Sequence, residues 1–492
     1  MKSFLGRSFD PTKSLESHPM LRLRFLPLIC IAGALCGCVC VNKPLNPAEV
    51  PIESRVLNHT RADVGADVAP TLASAATPEV VPASRPAENT QRPLNDGLFV
   101  GLALSGGGSR SANFSAACMF ELQRLGLLKH VNYVSSVSGG SLTGAYFCCS
   151  GDGDGGWNPA EVQRRLTHSF ATDMIVALFE PWNLAAMAFS DWSRSDLLAQ
   201  SLRDNLFTRN GHELTFADLR PDRPRLLINS TDLQSGRSFI FCNQSFDQIN
   251  SDLAKFPIAY AVAASASVPV ILHQITLEDY STIFKQYRHL IDGGVVDNLG
   301  VTSLLETYDA QEKSAQSNGR PDPYPNGVVL FVIDAQTNFD AHLSDRQDIS
   351  LLQSLAYGAS LTSTALINRA SSATLAQMIL RYSPDNEPAE TLRKEIAELE
   401  NDGHLVLKDN RGKPVRIVAV ALRQLSTLSN VPFGSFYEQV NSIATYFNIS
   451  QTEAYDLYKA AQLLMRGKLN APLRDIASQF HETPTTLPDE TP

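Results

Sequence analysis

Basic charge is what this chain has little of, against an otherwise ordinary charged content. Of 492 residues, 19% are charged, and 51 acids against 41 bases leave a net charge of −10. With a pI near 5.5, the basic face of a nucleic-acid binder is missing, and that class of partner is excluded. The ten histidines are scattered, and neither an HExxH run nor paired CxxC motifs occur, so no zinc pattern is present. Cysteine is also sparse. Cys118, Cys148, Cys149 and Cys242 sit in apolar surroundings and read as buried thiols rather than a disulfide framework. Between Phe25 and Phe99 there is not one aromatic residue.

That aromatic gap divides the chain. Arg22 and Arg24 precede an apolar run, Phe25–Leu35, which meets Cys36-Gly37-Cys38. A basic flank, a short apolar region and small residues ahead of a cut site describe a secretory signal over residues 1–37. Leu35-Cys36-Gly37-Cys38 also resembles a bacterial lipobox, in which Cys38 becomes the lipidated first residue; Cys36 departs from the usual Ala, Ser or Thr. This reading puts the protein at the bacterial cell envelope, on the periplasmic or outer-membrane side, held to a membrane surface by an N-terminal lipid anchor. The alternatives are a plain cleaved signal, or an uncleaved anchor through Val41, whose about 17 apolar residues reach the lower limit for spanning. Residues 38–96 are rich in Pro, Ala, Thr and Val; without large apolar side chains they cannot offset the entropy of ordering and are expected to be a flexible tether.

From Gly97 onward, short apolar runs alternate with helical patterns. Leu98–Leu104, Val131–Val137, Arg225–Ser230, Ser238–Phe241, Leu290–Ile291 and Gly327–Asp334 read as strands. Ser111–Leu125, Gly140–Cys149, Pro159–Ser169, Arg194–Leu206 and Phe256–Ser267 read as helices between them. The pattern predicts an α/β fold in three layers, a mostly parallel sheet with helices on both faces. Residues 97–345 form the expected catalytic domain. Residues 346–475 are expected to be mostly helical, with a strand at Val415–Leu422 and helices at Ser435–Phe447 and Thr452–Met465, either completing the same domain or appended to it. Residues 476–492 are a Pro/Thr-rich tail. The Gly151–Gly156 run GDGDGG lacks the later acids of a calcium loop and reads as a solvated loop. Met174–Phe189 is very apolar, carries Trp182 and is interrupted by Pro181. A packed or lid-like helix pair is one reading of it, an interfacial surface that captures lipid the other.

Two strand-to-helix turns carry the chemistry. Ser105-Gly106-Gly107-Gly108-Ser109-Arg110 follows the first strand and Ser136-Val137-Ser138-Gly139-Gly140 the second. Three glycines let backbone amides converge on one point at a helix start, where an anion is favoured. No Lys follows them, so the phosphate-binding G-x-x-x-x-G-K-[ST] form is absent. Ser138 occupies the nucleophile position of an elbow, with Ser136 where G-x-S-x-G has Gly. Arg110 reads as a support for the loop or as an attractor of an anionic head group. A serine nucleophile needs a base. His289 precedes Leu290-Ile291-Asp292-Gly293-Gly294, whereas Asp292 ends the strand itself. Serving as the base, Asp292 would need a short direct hydrogen bond in a water-poor site where burial raises its proton affinity. Alone, Asp-Gly-Gly is a turn.

Together these elements resemble the patatin-like phospholipase family, lipid acyl hydrolases with a Ser/Asp dyad. The resemblance spans most of Gly97 to Asp334, with Asn229–Arg237 and Ala263–Pro269 as weaker matching stretches. Phe447–Leu464 looks like the closing helix of bacterial members. Ser105 stands where many members have Asp or Gly, and Asn298-Leu299-Gly300 where a Pro often ends the motif. The resemblance implies cleavage of acyl esters of phospholipid or a related lipid, without metal or organic cofactor. Ser138 is then the nucleophile, Asp292 the base, and the amides of Gly106–Gly108, foremost Gly107 and Gly108, the oxyanion hole. An acyltransferase with the same dyad, a non-catalytic lipid- or protein-binding lipoprotein, and a His-based esterase are the competing readings.

Overall fold

Strands buried on both faces can satisfy their backbone groups only through neighbouring strands, and the all-apolar runs of this chain assemble into one sheet. The computed structural model describes residues 46–48, 97–150, 157–189, 192–269, 271–282, 284–337, 371–382, 389–428 and 436–482. Its sheet has nine strands: β1 (Leu98–Leu104), β2 (Tyr133–Val137), β3 (Arg225–Asp232), β4 (Arg237–Phe241), β5 (Ile275–Asp279), β6 (Gln286–Asp292), β7 (Gly327–Asp334), β8 (His404–Lys408) and β9 (Pro414–Ala421). They lie in the order β8-β9-β7-β1-β2-β3-β6-β5, with β4 paired to β3. The central run from β9 to β3 is parallel throughout. Antiparallel pairings flank it on both sides.

Alternation along the strands divides the core into two layers. On β1, Leu98, Val100, Leu102 and Leu104 enter one cluster while Phe99 and Ala103 enter the other. Strand β7 does the same with Val329, Phe331 and Ile333 against Val328, Leu330 and Val332. The first cluster is covered by α1 (Gly108–Arg124), α2 (Gly139–Cys149), α5 (Arg194–Asn205), α6 (Ile258–Ser265) and α8 (Gln451–Leu463). The second lies under α7 (Val301–Ser317) and a helical segment at 371–382. Helices thus sit on both faces of a mostly parallel sheet, as the alternation of patterns predicts. Between α2 and α5, the apolar stretch breaks at Pro181 into α3 (Phe170–Leu178) and α4 (Pro181–Phe189), because proline is tolerated in a first helical turn but not in an interior.

Beyond residue 346, β9 pairs in parallel with β7, so this part of the chain extends the same sheet as well as adding helices before and after it. Near the other end, Asn46 is pinned to the outer strand β5. Its Nδ2 donates to the Glu278 carbonyl at 2.9 Å and its Oδ1 accepts the Glu278 N–H at 2.7 Å, which covers backbone groups of an edge strand. The expected signal peptide, Cys38, most of the expected tether, the Gly151–Gly156 run and the tail from Thr483 lie outside the described residues. Among the described residues, no helix is long and apolar enough to cross a membrane.

Candidate active site

Strand β3 carries two strands end to end along one side. β2 runs parallel to it and ends with Val137 opposite Asn229; β6 runs antiparallel and ends with Asp292 opposite Ser230. Because Asn229 and Ser230 are adjacent, the C-terminal ends of β2 and β6 converge from opposite directions. The sheet register therefore brings together Ser138, the residue after β2, and Asp292, the last of β6.

Ser138 turns sharply into α2, with φ 49° and ψ −119°. A non-glycine residue in so sparsely populated a region costs about 1–3 kcal/mol and persists only when its surroundings hold it. The holding is visible. The Ser138 N–H donates to Ser265 Oγ at 2.9 Å, and Ser265 Oγ donates to the Asn229 carbonyl at 2.6 Å. Ser141 Oγ lies 3.0 Å from the same hydroxyl. Asn229 Nδ2 closes the group through Ser135 Oγ at 2.8 Å and the Ser136 carbonyl at 2.9 Å. Gly139 is required by proximity, since a Cβ there would lie 2.0 Å from the Gly108 carbonyl oxygen. Elbow and glycine loop are in direct contact.

The Asp292 carboxylate is fully buried. It accepts the Gly294 N–H at 2.7 Å, and the neighbouring Ser138 hydroxyl favours its ionised form. Burial pushes its pKa up to about 6, and the Gly294 N–H and the Ser138 hydroxyl pull the other way. Its own N–H donates to the Ser267 carbonyl at 2.9 Å. The end of α6 thus fixes both partners, Ser138 through Ser265 and Asp292 through Ser267. His289 stands three residues earlier on β6, an odd spacing that places it on the opposite face, where Nδ1 pairs with Thr276 Oγ1 at 3.0 Å.

The three glycines differ in what their amides do. The Gly106 N–H donates to the Asn298 carbonyl at 3.0 Å, and the Ser109 N–H to the Tyr446 carbonyl at 2.8 Å. Gly107 and Gly108, between them, have no backbone acceptor among the described residues. They stand at the N-terminus of α1, where unpaired amides and the helix dipole favour negative charge. Gly108 has φ +57°, and a Cβ there would lie 2.7 Å from the carbonyl oxygens of Thr445 and Tyr446. The sequence predicts helix through these last residues, but the helix stops at Asn441. Released from helical pairing, the carbonyls at 446 and 447 instead take the N–H groups of Ser109 and Ala171. Arg110 holds the same segment from inside: its guanidinium donates to the Ile443 carbonyl at 2.7 Å and Thr337 Oγ1 at 3.2 Å. Burial lowers the Arg110 pKa to about 10, opposed by the field of Asp334, so it stays charged at neutral pH. Among the described residues, no group of three His, Cys, Asp or Glu side chains is placed to hold a metal ion.

Ser265, Ser267, Asn298 and Tyr446 have no role in the sequence reading. The first two lie in the Ala263–Pro269 stretch, and Asn298 marks a departure from the family pattern, so a signal exists at three of the four positions. Comparison with protein families decides what the site belongs to: residues 102–305 match the family described as patatin-like phospholipase. The chain carries a patatin-like phospholipase domain. The matched span holds the glycine loop, the elbow, α6 and Asp292, whereas the 443–447 segment that closes the patatin-like site lies outside it. The comparison with curated proteins found no match. Among solved structures, a human GIVD cytosolic phospholipase A2 is similar with a TM-score of 0.41 and 12% identity, over 78% of this chain and 61% of that one. VipD from Legionella pneumophila is similar with a TM-score of 0.28 and 12% identity, over 76% of this chain and 67% of that one. The chain therefore spans about 61% of the length of the human structure.

Proposed function

We propose that the protein is a lipid acyl hydrolase of the phospholipase A or lysophospholipase type, acting through Ser138 and Asp292. The observation that carries this reading is the convergence of Ser138 and the buried Asp292 at two strand ends that meet along β3, beside the Gly107 and Gly108 amides, which have no backbone acceptor among the described residues. The family match supports the substrate class.

In the first half-reaction Ser138 Oγ attacks the acyl carbonyl and its proton passes to Asp292. The Gly107 and Gly108 amides hold the oxyanion; in such sites one donor is worth about 3 kcal/mol. As the ester C–O bond breaks, the proton on Asp292 goes to the leaving alcohol. Water then attacks the acyl-serine, giving its proton to Asp292, and the fatty acid leaves as Ser138 recovers the proton. An ordinary Asp is too weak a base for this. Burial supports the role by raising the proton affinity of Asp292 while leaving it ionised at neutral pH.

We also propose attachment to the bacterial envelope through a lipidated Cys38, supported by the Arg22/Arg24 flank and the lipobox-like Leu35–Cys38. Metabolic fatty-acid labelling that persists in Cys38→Ala would exclude it. For the activity, full-length protein is assayed against phospholipids, lysophospholipids and triglycerides, with Ser138→Ala as control. Fatty acid is expected from the wild type alone; undiminished release by the variant, or none from any substrate by either, contradicts the reading.

A further inference from the structure

Helices α3 and α4 carry apolar side chains that the core does not use. Phe170 is buried and Met174 packs against the core, so one side of α3 does ordinary structural work. Ile175, Val176 and Phe179 point outward, and Trp182 at the start of α4 is 85% exposed. A large aromatic side chain this open to water, next to three other exposed apolar ones, marks an interaction face. Charge narrows the partner. Between Phe170 and Phe189 there is no Lys or Arg, and the acids are Asp173 and Glu180. Asp173 is occupied by His168 at 2.7 Å and Asn205 at 3.0 Å. A face with aromatic and aliphatic groups and almost no free charge suits the headgroup–acyl boundary of a bilayer, where Trp and Phe partition without basic residues.

Its position points the same way. The Ala171 N–H in the first turn of α3 donates to the Phe447 carbonyl at 2.9 Å, while the adjacent Tyr446 carbonyl takes the Ser109 N–H at 2.8 Å. Two successive carbonyls thus link the start of α3 to the glycine loop. Tyr446, next to Phe447, is itself exposed. An acyl chain leaving a bilayer for Ser138 would otherwise cross water, at a cost for every methylene. We propose that α3, α4 and Tyr446 form an interfacial docking face that seats in the surface of a lipid bilayer and brings membrane phospholipid to Ser138. This deepens the lipid-hydrolase reading and rests on it.

Two measurements on the full-length chain test the face. With Ser138→Ala, which prevents turnover, tryptophan fluorescence is followed on adding zwitterionic phosphatidylcholine vesicles with brominated acyl chains. Trp157 is buried and Trp192 half-buried, so the part of the quenching that disappears in the Ser138→Ala/Trp182→Phe protein reports Trp182 itself, even if the N-terminus also holds the membrane. Quenching is expected, with little dependence on salt because no basic residue takes part. In the second measurement, Phe179→Ser/Trp182→Ser should lose about tenfold or more of its rate on phosphatidylcholine vesicles and keep its rate on a water-soluble short-chain ester. Unquenched Trp182, equal loss on both substrates, or loss on neither overturns the proposal; a face made for a protein partner gives the first result. Quenching of Trp182 in a protein whose wild type hydrolyses neither substrate supports the face and counts against the hydrolase reading instead.

Discussion

The floor of the site and its rim are built by different means. The floor, Ser138 and Asp292, is set by the register of two strands against β3 and locked by hydrogen bonds from one helix end, all within the matched span 102–305. The rim, the Gly107–Gly108 loop, depends on carbonyls of residues 443–447, outside that span, and on Arg110 reaching them. Ser138 and Asp292 thus lie within the matched span, while the glycine loop beside them leans on a segment outside it. Floor and rim should therefore fail differently.

The largest effect is expected on the floor. Asp292→Asn should lower kcat by about 10²–10⁴, measured on a soluble ester, with the fold intact by circular dichroism. It should also reveal a stability cost. The folded pKa of about 6 lies above the unfolded 3.8, so the folded state binds the extra proton and stability falls as pH rises through that window. The variant's thermal midpoint should match the wild type near pH 4 and exceed it by about a few degrees at pH 8; a gap that shrinks with rising pH would contradict the assigned shift.

Next, Ser265→Ala removes the acceptor of the Ser138 N–H. We expect kcat to fall by about 10–100-fold with KM nearly unchanged, because the nucleophile moves while the substrate surface does not. A change confined to thermal stability would show that Ser265 is merely packed. A rim change should be milder: Arg110→Met loosens the 443–447 segment, and kcat should drop by about tenfold, the effect of weakening one oxyanion donor in part. The acid limb of the pH profile should stay in place. A displaced limb would break the division between floor and rim. Smallest of all, His289→Ala should change kcat by less than about twofold and cost about 1 kcal/mol or less for one lost hydrogen bond.

Much of the floor is legible in the sequence because it is made of side chains and strand ends. The limits of β1 and β7 coincide with the apolar runs Leu98–Leu104 and Gly327–Asp334, since strands buried on both faces leave no polar positions to blur them. Ser138 and Asp292 stand at the ends of such runs. The rim is far less legible. Its contacts are carbonyls of Asn298, Ile443 and Tyr446, and every residue type offers a carbonyl. Helical periodicity through Phe447 even points the wrong way, because the tertiary demand of Ser109 and Ala171 for acceptors ends the helix at Asn441. Helix α7 escapes notice as well: it starts at Val301-Thr302, β-branched residues with weak helix propensity, directly behind the left-handed Gly300. Strand β5 is short, lies at the sheet edge and carries Glu278 and Asp279, so its apolar signal is diluted.

The pairing of Ser138 with Asp292 is tested most directly by the rate at which a fluorophosphonate labels Ser138 as a function of pH, in the wild type, Asp292→Asn and His289→Ala. The wild type and His289→Ala should rise together through an apparent pKa of about 6 and level off above it, while Asp292→Asn stays low throughout. Labelling that keeps its pH dependence without Asp292 and loses it without His289 would contradict the dyad.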